Sequence, residues 1–356
     1  MESRVCRGCG AEFGCGRAGG AERCWCADLP QVMPVPDPDA DCLCPECLRK
    51  EIARRPRLVS LLPAATDMVR ALGADGRLVG VSHLCDAPPG VPRVLSSPID
   101  SDAWDMSRIG EEVRRRLDAG EPLYVADEEG IAELRPDVIL TQGLCPACAA
   151  GPETVRGVRV RPRLVTLSPH SLEDVARDLE TVGEAAGLAE EGRRLARDFR
   201  DRIARARRSR TPRPRVTVVE WFAPPWASGE WIVEMIEAAG GEPALIRRGG
   251  GSRPVSWEEL ARAAPDVLVL APCSMSVERA ARELHFLEER PEWRALGAVR
   301  AGRVALMDGA RHFSAPGPRL AEGVELLAEA LDVLVDGRSP STRLEPWFRP
   351  LSGSRA

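Results

Sequence analysis

Cysteine is the residue type whose spacing in this sequence most directly indicates chemistry. Eight of the twelve cysteines lie in the first fifty residues, in the pattern C-x2-C, C, C-x-C and C-x-C-x2-C. They are Cys6, Cys9, Cys15, Cys24, Cys26, Cys42, Cys44 and Cys47. A short segment with few large apolar residues cannot fold by burial alone, whereas thiolates gathered on Zn²⁺ supply folding free energy directly. We therefore predict a zinc-type cysteine-rich domain over residues 1–52, in which two four-thiolate sites use all eight cysteines. An iron–sulfur centre and redox-active thiols are the alternatives.

Four further cysteines each follow a predicted strand: Cys85, Cys145, Cys148 and Cys273. An isolated cysteine is more often a small buried apolar residue than a ligand, and this interpretation stays open for Cys85 and Cys273. The C-P-A-C loop is harder to explain in that way. Four cysteines from three strand ends match a Cys₄ zinc or iron–sulfur centre, with His83 as an extra ligand. A thioredoxin-like redox pair in the C-P-A-C loop is the alternative.

Aromatic residues form a second candidate site. Trp221, Trp226 and Trp231 follow one predicted strand closely, and Trp104 lies in the matching region of the first half. An indole offers a large flat face that suits a planar macrocycle such as a corrin or haem, although core packing is the simpler role. His312 and Phe313 lie in a predicted loop from which a side chain can reach a cleft, so both are candidate ligand-binding residues and His312 is a candidate metal ligand. A solvated histidine is the alternative.

Helical periodicity dominates residues 171–208. Ser171 followed by Asp174 predicts a helix start, and Gly187 with Gly192 predicts a joint near residues 186–190. At about 1.5 Å per residue, the second helix, residues 190–208, is about 28 Å long. We predict that residues 171–210 form a rigid backbone helix that joins two lobes.

The same pattern occurs on each side of that backbone. The segments IAELRPDVILTQGLC and EELARAAPDVLVLAPC each predict a helix, a Pro-Asp turn, a buried strand and a loop carrying cysteine. We therefore predict an α/β fold with two Rossmann-like lobes, residues 57–170 and 213–338, followed by a tail over residues 339–356. Ligands of parallel α/β sheets bind beyond the carboxyl ends of the strands, so the loops of both lobes should face a shared cleft.

Composition excludes several function classes. The net charge is only −5, and every basic residue except Lys50 is arginine, so no nucleic-acid partner is indicated. The sequence has no run of eighteen apolar residues and no apolar run behind its N-terminal charges, so we expect neither membrane insertion nor secretion. We expect a cytoplasmic protein, in which cysteines serve as metal or redox groups. The sequence contains neither a phosphate-binding glycine loop nor a recognisable Ser-His-Asp arrangement, so no motif indicates catalysis.

Several motifs together carry a family resemblance. They are SLLPAAT from Ser60, GVSH ending at His83, RPDVI from Arg135, GEW from Gly229, AGG from Ala239 and PGPRL from Pro316. Through these motifs, residues 57–336 resemble the helical-backbone substrate-binding proteins of the vitamin B12 and iron-siderophore uptake class, particularly its cobalamin-binding branch. Residues 5–49 resemble the small cysteine-rich CWC family through Cys24-Trp25-Cys26 and CLCPECL. Proteins of the uptake class are normally exported or lipid-anchored and carry no cysteine-rich leader, and this sequence departs from both patterns.

The resemblance implies a binding protein of the ABC-transporter class that takes up and releases a metal chelate without catalysis. Our prediction is a non-catalytic cytoplasmic protein that binds a cobalamin-like or other metal-chelate ligand between its lobes. The main alternative is a metalloenzyme or metallochaperone with a zinc or iron–sulfur centre on the cleft cysteines. A third hypothesis is a scaffold whose cysteine-rich domain recruits a protein partner.

Overall fold

The computed structural model describes residues 2–16, 24–28, 42–53, 55–145, 147 and 149–351. The N-terminal segment, which we call the leader, begins with an antiparallel hairpin of β1 (Glu2–Val5) and β2 (Glu12–Cys15). A short helical turn (Trp25–Asp28) and helix α1 (Pro45–Ala53) follow. Cys148 and residues 29–41 lie outside the described residues.

Lobe one is a six-stranded sheet with helices on it. Its elements are β3 (Leu58–Ser60), α2 (Pro63–Ala71), β4 (Leu78–Ser82), β5 (Arg93–Ser96), α3 (Met106–Ala119), β6 (Val125–Ala126), α4 (Glu128–Leu134), β7 (Val138–Gln142) and β8 (Arg163–Leu167). The strand order is β6-β5-β4-β3-β7-β8, and all neighbours are parallel except β5 and β6. Strands β3 and β7 are buried along their whole length, as the unbroken apolar runs predict.

The connection between the lobes is α5 (Leu172–Ala185) and α6 (Ala189–Ala206), with the predicted joint between them. Ser171 caps α5 by accepting the N–H of Asp174 at 3.1 Å, which confirms the predicted start. The predicted strut is α6, which starts beside Arg77 of lobe one and ends where Arg208 donates its N–H to the carbonyl of Ala238 in lobe two. It also folds back along α5. Arg200, late in α6, binds Glu173 at the start of α5 and Glu180 further along it. The backbone element is therefore a helical hairpin.

The two helices of the hairpin approach each other most closely where Gly183 of α5 faces Gly192 of α6. A Cβ built on Gly183 would lie 2.6 Å from the Cα of Gly192 on the other helix. Gly183→Val should therefore push α5 and α6 apart and lower the free energy of unfolding by about 1–3 kcal/mol. Urea unfolding checks this against Gly297→Ala, where a Cβ meets nothing within 4 Å. Equal midpoints for the two variants would contradict the close packing.

Lobe two is built around a second sheet. Its elements are β9 (Arg215–Phe222), β10 (Pro225–Ala227), α7 (Trp231–Ala238), β11 (Glu242–Pro243), β12 (Arg253–Pro254), α8 (Trp257–Ala263), β13 (Val267–Leu270), α9 (Val277–Ala281), α10 (His285–Glu288), α11 (Pro291–Ala295), α12 (Gly297–Arg300), β14 (Val304–Met307), α13 (Gly309–His312), α14 (Leu320–Asp336) and β15 (Phe348–Leu351). The order is β12-β10-β9-β13-β14-β15, with β11 also paired to β9. Residues predicted as a tail instead supply β15, which pairs antiparallel with β14.

The repeated Pro-Asp turn does the same structural work in both lobes. Asp137 follows α4 and accepts the N–H of Arg57, ahead of the first strand of lobe one, at 2.7 Å. Asp266 follows α8 and accepts the N–H of Arg215, which opens the first strand of lobe two, at 2.8 Å. Each arginine side chain also donates to the last carbonyl of the helix that precedes its aspartate: Arg57 to Leu134 of α4, and Arg215 to Ala263 of α8. The duplication read from the sequence is thus also present in the hydrogen bonds.

Within the described residues, no helix combines the length and the apolar character that crossing a bilayer requires.

Candidate functional site

Four cysteines of the leader meet at one point. The sulfur atoms of Cys6, Cys9, Cys44 and Cys47 all lie within 4.8 Å of one another, and those of Cys9 and Cys44 are 3.8 Å apart. The turn after β1 supplies the first pair, and the segment leading into α1 supplies the second. Four thiolates at tetrahedral spacing, with metal–sulfur bonds of about 2.3 Å, are about 3.8 Å apart. The arrangement is thus suited to a tetrahedral metal ion.

Backbone hydrogen bonds prepare this group for a cation. The N–H of Cys44 donates to the Cys6 sulfur at 3.2 Å, and the N–H of Gly8 donates to it at 3.3 Å. Mainly because of the Cys44 N–H, the pKa of Cys6 falls to about 6. Contacts with neighbouring thiols, of which the one with Cys9 contributes most, raise the pKa of Cys47 to about 12. A bound cation would relieve this crowding by replacing the shared protons.

The two lobes touch each other at the first turn of α3. Met106, from lobe one, is fully buried and packs with Val219 and Phe222 in the core of lobe two. The N–H of Phe222 points at the Met106 sulfur from 3.3 Å. A side chain of one lobe thus fills a place in the core of the other.

A buried ion pair of lobe two, Arg279 with Glu283, holds the same contact by binding the backbone of Trp104 and Met106. We call these four residues the latch. Arg279 binds Glu283, whose side chain is only 4% exposed. Glu283 accepts the N–H of Met106 at 3.1 Å, and Arg279 donates to the carbonyl of Trp104 at 2.6 Å. Both charges of the pair therefore have partners in lobe one.

Two more contacts cross the boundary between the lobes. Arg319, just before α14, binds Asp67 of α2 at 2.9 Å. Burial raises the pKa of Asp67, and Arg319 opposes that shift. His170, before the hairpin, lies 2.8 Å from Glu230 at the start of α7. With the latch, these contacts define a closed arrangement.

A cavity of about 320 Å³ opens between the lobes beside α3. Phe222, Trp257 and Phe286 give it an aromatic wall on the side of lobe two, and Glu111, Arg114 and Arg290 place charges at it. None of these six residues was among the predicted site residues. The sequence gives no sign of them, because a helix period does not show that a charged face such as that of Arg114 meets another lobe.

Three predicted ligand-binding residues are core residues instead. Trp231 is 7% exposed and donates its indole N–H to the carbonyl of Phe313 at 2.8 Å. Phe313 is 2% exposed and His312 only 1% exposed. Placing them in an open loop was wrong, because residues 309–312 form α13 and pack under α14 and Trp347.

The other predicted aromatic residues lie near the lobe boundary. Trp104 and Trp221 are half-buried, and Arg108 stacks on Trp104 at 4.0 Å. The indole nitrogen of Trp221 would lie 3.4 Å from a Cβ built on Gly110 of α3. Trp226, also half-buried, pairs with Trp221 in the hairpin of β9 and β10. Trp221 therefore faces lobe one closely enough to contact a ligand held between the lobes, whereas Trp104 reaches lobe two through its carbonyl.

Three of the four cleft cysteines are described, Cys85, Cys145 and Cys273, and they are not gathered into a ligand set. Among the described residues, the leader group is the one set of three or more cysteine, histidine or acidic ligands within 4.8 Å. Cys85 is buried, with its pKa raised by burial, and Cys145 is disulfide-bonded, so its sulfur is not a thiolate. The proposed fourth ligand, Cys148, lies outside the described residues. A shared Cys₄ centre stays a prediction without support from this geometry.

His83 is half-buried and turned toward lobe one itself. Its Nδ1 lies 3.1 Å from the carbonyl of Leu95, and its ring lies 6.4 Å from that of Tyr124. Burial lowers the pKa of His83. The role of an additional metal ligand is not indicated by these contacts.

Sequence reasoning missed a buried carboxyl group at the end of β9. Burial raises the pKa of Glu220, and Ser252 donates a hydrogen bond to it at 3.0 Å. The Glu220 carbonyl accepts the N–H of Cys273 at 3.0 Å. Burial, and next the Glu220 charge, hold the pKa of Cys273 well above its usual range. The available signal was an acidic residue at the carboxyl end of an otherwise apolar strand.

The sequence profile of the periplasmic binding protein family matches residues 58–310, and that of the cysteine-rich CWC family matches residues 6–49. The chain belongs to the periplasmic binding protein family and carries a CWC domain at its N-terminus. The family assignment made from the motifs is confirmed.

Individual relatives are distant but span most of the fold. A vitamin B12-binding protein of Vibrio parahaemolyticus serotype O3:K6 is 23% identical over 232 residues, which cover 62% of this chain and 72% of that protein. The structure of the periplasmic heme-binding protein BhuT in complex with two hemes is 26% identical, covers 78% of this chain and 99% of its own, and has a TM-score of 0.56. The Vibrio cholerae vitamin B12 binding protein BtuF is 22% identical and covers 79% of this chain and 98% of its own, with a TM-score of 0.57. These similarities confirm the two-lobed α/β fold.

Proposed function

We propose that the two lobes bind a tetrapyrrole metal chelate of the corrin or haem kind, as a non-catalytic binding protein of the ABC-transporter class. The observation that carries the proposal is the family match over residues 58–310, whose relatives include proteins named for vitamin B12 and heme. The lobe boundary supports it, because the half-buried Trp221 packs close to Gly110 of the other lobe and a cavity with an aromatic wall opens beside α3. Flat apolar rings and guanidinium groups suit a macrocycle that carries carboxylate or amide side chains.

In the closed arrangement, the lobes must separate before a tetrapyrrole ligand can bind between them. A corrin or haem macrocycle is larger than the cavity of about 320 Å³ beside α3. The lobes must therefore part at the latch before such a ligand enters, and Met106 must leave the core of lobe two. The helical hairpin that joins the lobes then sets how far they can separate.

Titration with cyanocobalamin and with haemin, followed by tryptophan fluorescence, tests the proposal. We expect saturable quenching by at least one of them with a 1:1 end point. Trp221→Ala should weaken binding about tenfold, because it removes an aromatic contact at the lobe boundary. Trp347→Phe is the control, since Trp347 packs against His312, does not line the cavity and should leave the affinity unchanged. Absence of saturable quenching by either chelate would contradict the proposal.

For the leader we propose Zn²⁺ on Cys6, Cys9, Cys44 and Cys47. The spacing of the four sulfur atoms supports it, and Zn²⁺ would supply folding free energy that this small segment lacks.

A further inference from the structure

One polar face of α3 lines the cavity between the lobes. Ser107, Glu111 and Arg114 are spaced four and three residues apart, so they lie on the same side of the helix, and all three line the cavity of about 320 Å³. On the same part of α3, Gly110 brings the helix backbone close to Trp221 of lobe two. Lobe one therefore contributes a hydroxyl, a carboxylate and a guanidinium group to a space that lobe two closes.

Lobe two contributes three aromatic rings from three separate elements. Phe222 ends β9 and is only 1% exposed, and Phe286 lies in α10. Trp257 begins α8 and meets Trp293 edge-on at 6.4 Å. The N–H of Phe222 also points at the sulfur of Met106 in the contact between the lobes. The aromatic wall therefore faces the polar side of α3 only while the latch holds the lobes together.

Two guanidinium groups at this cavity have no carboxylate bound to them. Within the part of the chain that the structure describes, neither Arg114 of lobe one nor Arg290 of lobe two takes part in an ion pair. The carboxylate of Glu111 lies 3.4 Å from the hydroxyl of Ser107. Two positive charges and one negative charge leave one net positive charge at the cavity. A guanidinium group binds a carboxylate through two parallel hydrogen bonds, so a ligand with a single carboxylate complements these charges.

We propose that this cavity binds a small aromatic carboxylate, whose ring packs on the aromatic wall of lobe two and whose carboxylate binds Arg114 and Arg290. Pockets for small molecules span about 300–1,000 Å³, so a cavity of about 320 Å³ suits a ligand of about two fused rings. Such a ligand contacts both lobes and stabilises the closed arrangement, whereas a tetrapyrrole needs the lobes apart. The inference goes beyond the proposed function, because the small ligand opposes binding of the large one.

Calorimetric titration of the full-length chain with naphthalene-2-carboxylate tests the site. We expect saturable 1:1 binding, and binding at least about tenfold weaker for naphthalene-2-carboxamide, which keeps the rings and shape but carries no charge. Equal affinities for the two compounds would overturn recognition of the carboxylate. Absence of saturable binding of the carboxylate at about 1 mM would overturn the site itself.

Substitutions on both lobes test whether the ligand bridges them. Arg114→Gln and Arg290→Gln should each weaken naphthalene-2-carboxylate binding about tenfold and leave the affinity for the carboxamide unchanged. Arg108→Gln is the matched control, because Arg108 lies on the same helix, stacks on Trp104 and does not line the cavity. A loss confined to one of the two cavity arginines would contradict a carboxylate held by both lobes.

Competition with haemin separates this inference from the proposed function. At a naphthalene-2-carboxylate concentration about ten times its own Kd, the apparent Kd of haemin should rise about tenfold. An unchanged Kd of haemin would overturn the opposition between the two ligands. If naphthalene-2-carboxylate binds and neither cyanocobalamin nor haemin does, the tetrapyrrole proposal fails and the small-ligand site stands. The reverse result contradicts the small-ligand site alone.

Discussion

Replacing Glu283 with alanine should lower the free energy of unfolding by about 3–5 kcal/mol, because it leaves Arg279 buried without its partner. The side chains of the pair are only 4% and 13% exposed, so water does not replace the lost carboxylate easily. The change also removes the acceptor of the Met106 N–H and so weakens the contact between the lobes. Urea unfolding followed by circular dichroism measures the effect.

Two further variants show whether the loss comes from the orphaned charge. Arg279→Met together with Glu283→Met should recover much of the stability, since an apolar pair leaves no buried charge unpaired. Glu190→Ala breaks the exposed pair with Arg193 and should have no measurable effect. A Glu283→Ala protein as stable as the parent would mean that the latch does not hold the lobes.

Acid should destabilise the protein through His312. Burial lowers the pKa of this histidine to about 4, although the Glu322 carboxylate 3.4 Å away acts in the opposite direction, and Arg311 and Arg319 also lower it. Neither ring nitrogen has a hydrogen-bond partner within the described structure. The unfolded chain therefore binds a proton near pH 6.5 that the folded chain does not bind until about pH 4. The resulting stability is fully present above pH 6.5 and is lost as pH falls toward 4.

The loss due to His312 by pH 4 is at most about 3 kcal/mol, at about 1.4 kcal/mol per pH unit. His312→Phe should flatten the decline in stability between pH 7 and pH 5 while keeping an aromatic ring against Trp347. His285→Gln, at an exposed position, is the control and should follow the parent. Parallel stability–pH curves for the parent and His312→Phe would show that this site does not cause the acid sensitivity.

Local patterns in the sequence were enough to predict the elements and their duplication. The helix start predicted at Ser171 is confirmed, because its side chain accepts the N–H of Asp174. Ser256 caps α8 in the same way by accepting the N–H of Glu259. The Pro-Asp turns at Asp137 and Asp266 are confirmed as equivalent. These features succeed because each depends on residues within a few positions of one another or on a strand long enough to show its burial pattern.

Contacts between distant segments explain what the sequence could not supply. Met106 and Phe222 are 116 residues apart, and no periodicity in α3 indicates that its first turn enters another core. His312 lies in a helix of four residues, which is too short to show a repeat. Trp347, which covers that histidine, lies in the segment predicted as a tail. Interpreting His312 as a ligand was therefore a consequence of reading a short buried helix as an open loop.

Because the sole lysine lies in the leader, a single label can be attached to the leader without labelling the lobes. Lys50 lies on α1 three residues after Cys47, and its side chain is 65% exposed while it pairs with Glu46. An active-ester fluorophore would attach there as a stable amide and, apart from the α-amino group, nowhere else on the chain, because the thioesters that it forms with cysteine hydrolyse. The fluorescence polarisation of one dye beside the thiolate group of Cys6, Cys9, Cys44 and Cys47 would then report metal release, independently of any event between the two lobes.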